Sequence, residues 1–237
     1  MKCFLLAAGL GTRLRPITDH TPKCLVKIQD TPLLEYWISA LHAAGVTDFL
    51  INTHYLPEQV RKFVADHPLR KHIQLVHEEK LLGTGGTIAA NRAFFESGTT
   101  LLAHADNLCV CNWRDFFSAH VGRPAECPMT MMTFRAANPS DCGIVELNEC
   151  GVVNGFHEKV ASPPGNLANA AVYLMEPSIL NEMDSIPEFS DLSTQLVPAL
   201  KGRIFTWENK NVLIDIGSPE RLQSAQTRMA AAHAGKV

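Results

Sequence analysis

The sequence predicts an α/β fold in which a mostly parallel sheet is covered by helices. Two observations predict it. In the first half, short apolar runs alternate with amphipathic helical stripes, the pattern of strands joined by crossover helices. From residue 129 onward the texture changes to closely spaced strand-like runs, which makes the sheet mixed rather than purely parallel.

Residues 3–8 read as the first strand. After a loop rich in Gly, Arg and Pro, apolar side chains at 33, 34, 37, 38 and 41 form a helical stripe over 33–44 that Gly45 closes. Residues 49–52 form the second strand, 57–64 a short helix opened by Pro57, 73–76 a third strand and 85–95 a further helix. The fourth strand, 99–104, ends at Asp106, and Asn112 with Asp115 marks the start of the next helix. Residues 129–134, 143–147, 152–158 and 170–175 form the strand-rich block, broken by turns at Asn138-Pro139-Ser140 and Pro163-Pro164-Gly165. The Met and Phe run of 129–134 reads as a buried strand, and no residue is assigned to a subunit interface. A helix near 192–200, strands near 204–207 and 212–214, and a last helix complete the chain. Ser218-Pro219-Glu220 starts that helix with a hydroxyl cap, proline at the first position and an acid in the first turn.

The 237 residues are 46% hydrophobic and 19% charged, the composition of an ordinary globular protein, which excludes disorder. A formal net charge of -3 excludes a broad surface for nucleic acid, although a few local cations suffice for a small anion. Seven Cys without C-x-x-C pairs read as reduced structural thiols, neither a disulfide framework nor a zinc cage. The apolar start after Lys2 is at the short limit for a signal peptide and runs at once into Arg13 and Arg15. No stretch approaches the roughly 20 apolar residues needed to cross a bilayer, so the expectation is a cytoplasmic protein with no membrane partner.

The most informative stretch is Ala7-Ala8-Gly9-Leu10-Gly11-Thr12-Arg13-Leu14-Arg15-Pro16, with Pro22-Lys23 shortly after. Glycines directly after a strand let backbone N–H groups approach phosphate oxygens. A dinucleotide fingerprint is excluded because Leu14 stands where its third glycine belongs, and a P-loop because no Gly-Lys-Ser/Thr occurs. Arg13 supplies a planar fork suited to phosphate and Lys23 a movable point charge. As structure alone the stretch is a loop with solvated cations, a reading that its ordered series of Gly, Thr, Arg, Pro and Lys argues against.

Gly9-x-Gly11-Thr12-Arg13-x-x-Pro16 followed by Pro22-Lys23 resembles the signature of the sugar-1-phosphate nucleotidyltransferases. The resemblance implies a Rossmann-like three-layer sandwich, the nucleotide-diphospho-sugar transferase fold. It implies a single domain over 1–237, with a nucleotide-binding half (1–125), a sugar-phosphate-binding half (126–217) and a C-terminal helix (218–237). Ala7, Ala8, Gly9, Gly11 and Thr12 would then wrap the triphosphate, with Arg13 and Lys23 as the catalytic cations on its phosphates. Leu82-Gly83-Thr84-Gly85-Gly86 resembles the base-recognition loop, so Gly83, Thr84, Gly85 and the nearby Glu79 are nucleotide-binding candidates. Asp106 follows an apolar strand, where parallel-sheet proteins present ligand-binding side chains. It matches the family's magnesium-binding Asp, although Ala105 precedes it where a Gly is frequent. Asp215, in Asp215-Ile216-Gly217-Ser218-Pro219, resembles the carboxylate that completes the Mg²⁺ site. His104, two residues before Asp106, is read as structural rather than as a ligand.

On the acceptor side, Cys142-Gly143-Ile144-Val145-Glu146, Phe156-His157-Glu158-Lys159 and Asn169-Ala170-Ala171-Val172-Tyr173 resemble the sugar-binding segments. They make Gly143, Glu158, Lys159 and Asn169 the substrate-binding candidates. Val160 and Ala171 depart from the Pro and Gly expected there. The implied partners are a nucleoside triphosphate and a sugar 1-phosphate. Similarity points to the short branch holding mannose or heptose 1-phosphate guanylyltransferases and N-acetylmuramate 1-phosphate uridylyltransferases, with GTP the favoured nucleotide. The rivals are a phosphocholine cytidylyltransferase and a noncatalytic nucleotide-sugar sensor. The presence of Arg13, Lys23 and Asp106 counts against the sensor.

Overall fold

The computed structural model describes residues 1–233 and has the expected mixed α/β fold. Residues 234–237, the end of the expected C-terminal helix, lie outside the described residues. Strands β1 (Lys2–Leu6), β2 (Lys27–Ile28) and β3 (Thr31–Pro32) precede helix α1 (Leu33–Ala43), then β4 (Asp48–Thr53), α2 (Pro57–Asp66) and β5 (Ile73–His77). Next come α3 (Gly83–Ala90), β6 (Thr100–His104), β7 (Asn107–Val110), α4 (Trp113–Val121), β8 (Met129–Arg135), β9 (Gly143–Leu147), β10 (Val153–Glu158) and β11 (Leu167–Met175). The chain ends with α5 (Ile179–Asp184), a π-helical turn (Leu192–Leu196) running into α6 (Val197–Ala199), β12 (Ile204–Glu208), β13 (Val212–Asp215) and α7 (Pro219–His233).

The chain divides into two compact units that interleave in sequence. A terminal unit comprises Cys3–Leu81, His104–Val110 and Val212–Val237, and a central unit comprises Met1–Lys2, Leu82–Ala103 and Cys111–Asn211. In the terminal unit β1, β4 and β5 lie side by side, and β4 and β5 are parallel, Phe49 opposite Ile73. Helix α1 buries Leu33, Leu34, Trp37, Ile38 and Leu41, the stripe read from the sequence. Gly45 at φ 101 ends it: its N–H donates to His42 O and that of Val46 to Leu41 O, the paired bonds of a Schellman motif.

In the central unit β11 is flanked by antiparallel partners β6, β8 and β9, while β12 joins β8 in parallel. The 129–134 run lies in β8, with Met129 to Thr133 buried. The Asn112 side chain caps α4 by accepting from Asp115 N, and Ser218 Oγ accepts from Arg221 N at the start of α7. All seven cysteines are free thiols, and no helix among the described residues is long and apolar enough to cross a membrane.

Candidate active site

The loop after β1 is held in shape by three local anchors. Gly11 sits at φ 64, and a Cβ there would lie 2.9 Å from Thr18 Cγ2, so no larger residue fits while Thr18 Oγ1 donates to Gly11 O. Leu14, where the dinucleotide fingerprint has glycine, is fully buried among Val26, Ile28, Leu33, Leu108, Ile216, Ala225 and Met229. That apolar anchor fixes the exposed Arg13 beside it. Ala7 N donates to Asn52 Oδ1 at 2.7 Å, and Asn52 Nδ2 donates to Glu78 Oε1 at 2.8 Å. Asn52 and Glu78 are buried polar groups that sequence reading missed, and the neighbouring candidate Glu79 is exposed.

Asp106 is fixed by bonds on either side of it: Ala105 N donates to Leu6 O, and the Trp37 indole N–H donates to Asn107 O. Strands β7 and β13 form an antiparallel ribbon in which Asp215 stands opposite Asn107, next to Asp106. The two carboxylates converge on one cation. Lys23 Nζ donates to Asp106 Oδ2 and to Asp215 Oδ1, each at 2.8 Å. Burial, the largest single influence, pushes the Asp106 carboxyl up, but the charges of Lys23 and His104 together with hydrogen bonds from Lys23 and the backbone outweigh it and hold the group below the usual carboxylate range.

Asp215 Oδ2 meets two further cations, Arg221 Nη1 at 3.2 Å and Arg13 Nη2 at 3.6 Å. A Cβ at Gly217 would fall 2.9 Å from both Arg13 Nη2 and Asp215 Oδ2, so glycine leaves these two side-chain ends room to meet as they do. Arg221, in the first turn of α7, was missed because that stretch reads as helix-start chemistry. No group of three or more His, Cys, Asp and Glu side chains suited to a metal occurs among the described residues. Two converging carboxylates nevertheless fit magnesium, which typically takes one or two and fills its remaining positions with phosphate and water. The terminal unit thus brings Lys23, Asp106 and Asp215 together with Arg13 and Gly11, which lie on the loop that also carries Ala7, Ala8, Gly9 and Thr12.

The remaining candidates lie in the central unit. Gly83 and Gly85 pack against the Ser190–Asp191 backbone: a Cβ would lie 2.5 Å from Ser190 O at Gly83 and 2.7 Å from Ser190 C at Gly85. Gly85 N donates to Ser190 O, while Thr84 Oγ1 donates to Asp191 Oδ2 and accepts from Leu192 N. Part of this loop's demand for glycine therefore comes from the 190–192 segment, which local sequence signals do not reveal. Gly143 faces Glu158 across β9 and β10, and a Cβ there would lie 2.5 Å from Glu158 Oε2. Lys159 is exposed, has φ 48 and lies 3.4 Å from Glu158 Oε1. The Asn169 side chain bridges a bulge in β11, accepting from Ala171 N and donating to the buried Tyr173 hydroxyl at 2.6 Å.

Known proteins resemble this chain along most of its length. A family model described as nucleotidyl transferase matches residues 2–231. The mannose-1-phosphate guanyltransferase beta-B of Xenopus laevis is 29% identical over 227 residues, covering 93% of this chain and 62% of that protein. A probable mannose-1-phosphate guanylyltransferase 2 of Oryza sativa subsp. japonica is 30% identical over 92% of this chain and 62% of that protein. The chain therefore spans less than two thirds of the length of these relatives. UDP-glucose pyrophosphorylase complexed with UDP-glucose superposes with a TM-score of 0.79 at 23% identity, covering 100% of this chain and 99% of that one. HddC from Yersinia pseudotuberculosis complexed with GMP-PN gives 0.78 at 22% identity, covering 96% and 99%. At these identities the two structures establish the shared fold.

Proposed function

We propose, from the premise that this chain belongs to the nucleotidyl transferase family, that it transfers a guanylyl group from GTP to a sugar 1-phosphate of the mannose or heptose type, releasing pyrophosphate. The observation that carries the reading is the convergence of Asp106 and Asp215 on Lys23, with Arg13 and Arg221 alongside. That cluster suits a polyanion and a divalent cation together. The guanylyl preference follows the names of the relatives.

The reaction is an in-line attack by a sugar phosphate oxygen on the α-phosphorus. A phosphate monoester has a second pKa of about 6, so the nucleophile is already ionised at neutral pH and needs no general base. The barrier is repulsion between two anions, which positioning and charge neutralisation lower. Arg13 is exposed and fork-shaped, suited to the outer phosphates, and Lys23 brings its ammonium to the transferred one. Gly9 meets no other atom within 4 Å of an ideal Cβ, leaving room for phosphate against the backbone of the Ala7–Thr12 stretch. Asp106 and Asp215 would hold magnesium, which supplies charge neutralisation for the phosphates when bound. On the acceptor side, Glu158 and the second amide hydrogen of Asn169 are suited to sugar hydroxyls, and Lys159 to the sugar phosphate.

The test is pyrophosphate release with Mg²⁺ from GTP, UTP, CTP, ATP or dTTP, each paired with a panel of sugar 1-phosphates and with phosphocholine. The expected result is release from GTP with mannose or heptose 1-phosphate, abolished by Asp106→Ala. Nucleotide binding without release from any pair would replace the transferase by a sensor. Release with UTP or CTP alone would move the assignment to the uridylyl or cytidylyl branch.

A further inference from the structure

Lys23 is the most deeply placed charge of the cluster, its side chain 6% exposed against 36% for Asp106 and 30% for Asp215. Its backbone is tied into a short turn, Leu25 N donating to Pro22 O and Val26 N to Lys23 O, so the stem enters from a fixed point. Two of its three N–H groups are given to the two carboxylates. A monovalent ammonium therefore stands where a cation held by both acids must stand. Magnesium requires its oxygens at about 2.0–2.1 Å, whereas here they lie 2.8 Å from nitrogen. The two cations cannot share the place.

The charge balance points the same way. Lys23 bonds to both carboxylates, and Arg13 and Arg221 stand against Asp215 as well, so the pair is already neutralised and has no uncompensated negative charge with which to draw a free dication. A triphosphate entering beside Arg13 offers the ammonium a second set of oxygens and brings the negative charge that the cluster lacks.

We infer that Lys23 is a resident counter-ion that keeps the Asp106–Asp215 pair closed to divalent cations until a nucleoside triphosphate draws its ammonium away, so that metal and nucleotide bind as a linked pair. This rests on the reading of Asp106 and Asp215 as the metal-holding acids. Linkage is reciprocal: whatever factor the nucleotide adds to metal affinity, the metal adds to nucleotide affinity.

The experiment titrates nucleotide-free protein with Mn²⁺, following free ion by electron paramagnetic resonance, in wild type and Lys23→Met. Methionine keeps an unbranched stem and removes the charge, so Mn²⁺ is expected to bind the variant at least about tenfold more tightly. Adding Asp106→Asn to the variant should remove that gain. Lys23→Gln, which keeps an amide donor for the acids and so guards against misfolding, carries the same expectation. As a second readout, Mn²⁺ should raise the melting temperature of either Lys23 variant more than that of wild type. Equal or weaker Mn²⁺ binding by both folded variants overturns the inference. The titration needs no turnover, so its failure leaves the transferase reading standing, and a missing transferase activity leaves its result intact.

Discussion

Two adjacent glycines in α3 separate a steric requirement from helix propensity. At Gly85, a Cβ would sit 2.7 Å from Ser190 C, 2.8 Å from Asp191 N and 2.9 Å from Phe189 Cζ. The first two are backbone atoms that no rotamer change can move. At Gly86, a Cβ would approach Leu82 Cβ at 3.1 Å, a contact that small adjustments relieve. Helix propensity alone favours Ala over Gly by up to about 1 kcal/mol at either position. For Gly85→Ala, overpacking costs about 1–3 kcal/mol. Pushing the 190–192 segment away also weakens the bond from Gly85 N to Ser190 O and that from Leu192 N to Thr84 Oγ1, at roughly 0.5–1.5 kcal/mol each. The expected net loss for G85A is about 1–5 kcal/mol. At ~2–4 °C per kcal/mol for a chain of this size, its melting temperature falls by ~2–20 °C, while G86A is neutral or up to ~4 °C more stable. Urea and thermal unfolding of both variants provide the assay. A G85A protein as stable as G86A would refute the idea that Ser190 sets the demand for glycine.

Gly143→Ala would place its Cβ 2.5 Å from Glu158 Oε2 and 2.6 Å from Phe156 Cζ. With one charged hydrogen bond lost at ~1.5–3 kcal/mol, steady-state kinetics should show KM for the sugar 1-phosphate about tenfold to a hundredfold higher, with KM for the nucleotide little changed. Ala171 adopts φ 54, which costs a non-glycine residue roughly 1–2 kcal/mol. Against the extra chain entropy of glycine, A171G should gain up to about 1 kcal/mol, read as a melting temperature ~2–4 °C higher. Acid should destabilise the fold through the His120–Glu176 pair. Burial and then the charge of Arg123 hold His120 below its ordinary value, and although burial raises Glu176, hydrogen bonds from His120 and Thr99 with the charge of Arg123 hold it down. Both groups bind fewer protons folded than unfolded, so their stabilisation is full above about pH 6.5 and is lost as pH falls, first through the His120 range and then below about 4.3 for Glu176. Urea midpoints measured from pH 7.5 to 4 should show this decline, and His120→Asn should flatten its upper part.

Local signals found what they govern. The α1 stripe, its Gly45 stop, the Asn112 and Ser218 caps and the buried run of β8 are each decided by residues within a few positions of one another. Strand β7 escaped because its four residues gain strand character from β13, which arrives only after the whole central unit has been laid down. The same long-range event puts Asp215 next to Asp106. The sequence singled out both acids but carried no sign that a lysine would hold them together. Glu79 and Glu78 show a limit of a different kind: one residue past a strand end decides which of two identical side chains turns inward, and strand boundaries are what pattern reading fixes least well. Ser190 and Asp191 lie just before the helix read near 192–200 and carry no local signal of their own. Their bonds to Thr84 and Gly85 join residues roughly a hundred positions apart, beyond the reach of any periodicity.

The motif glycines can be sorted by what would meet an added methyl group. Gly11 is required by Thr18 and by its own left-handed backbone, and Gly85 by the Ser190–Asp191 backbone. In each case the protein itself supplies the constraint, and substitution should be felt as lost stability before any ligand is added. Gly9 has no protein atom within 4 Å of its ideal Cβ and no left-handed φ. Neither packing nor backbone strain asks for a glycine there, and the proposed function supplies a reason, the approach of a phosphate to the main chain. A bare Gly-x-Gly spacing merges these two kinds of constraint. Only the environment of each Cβ separates the glycine that shapes the loop from the one that makes room for what the loop holds.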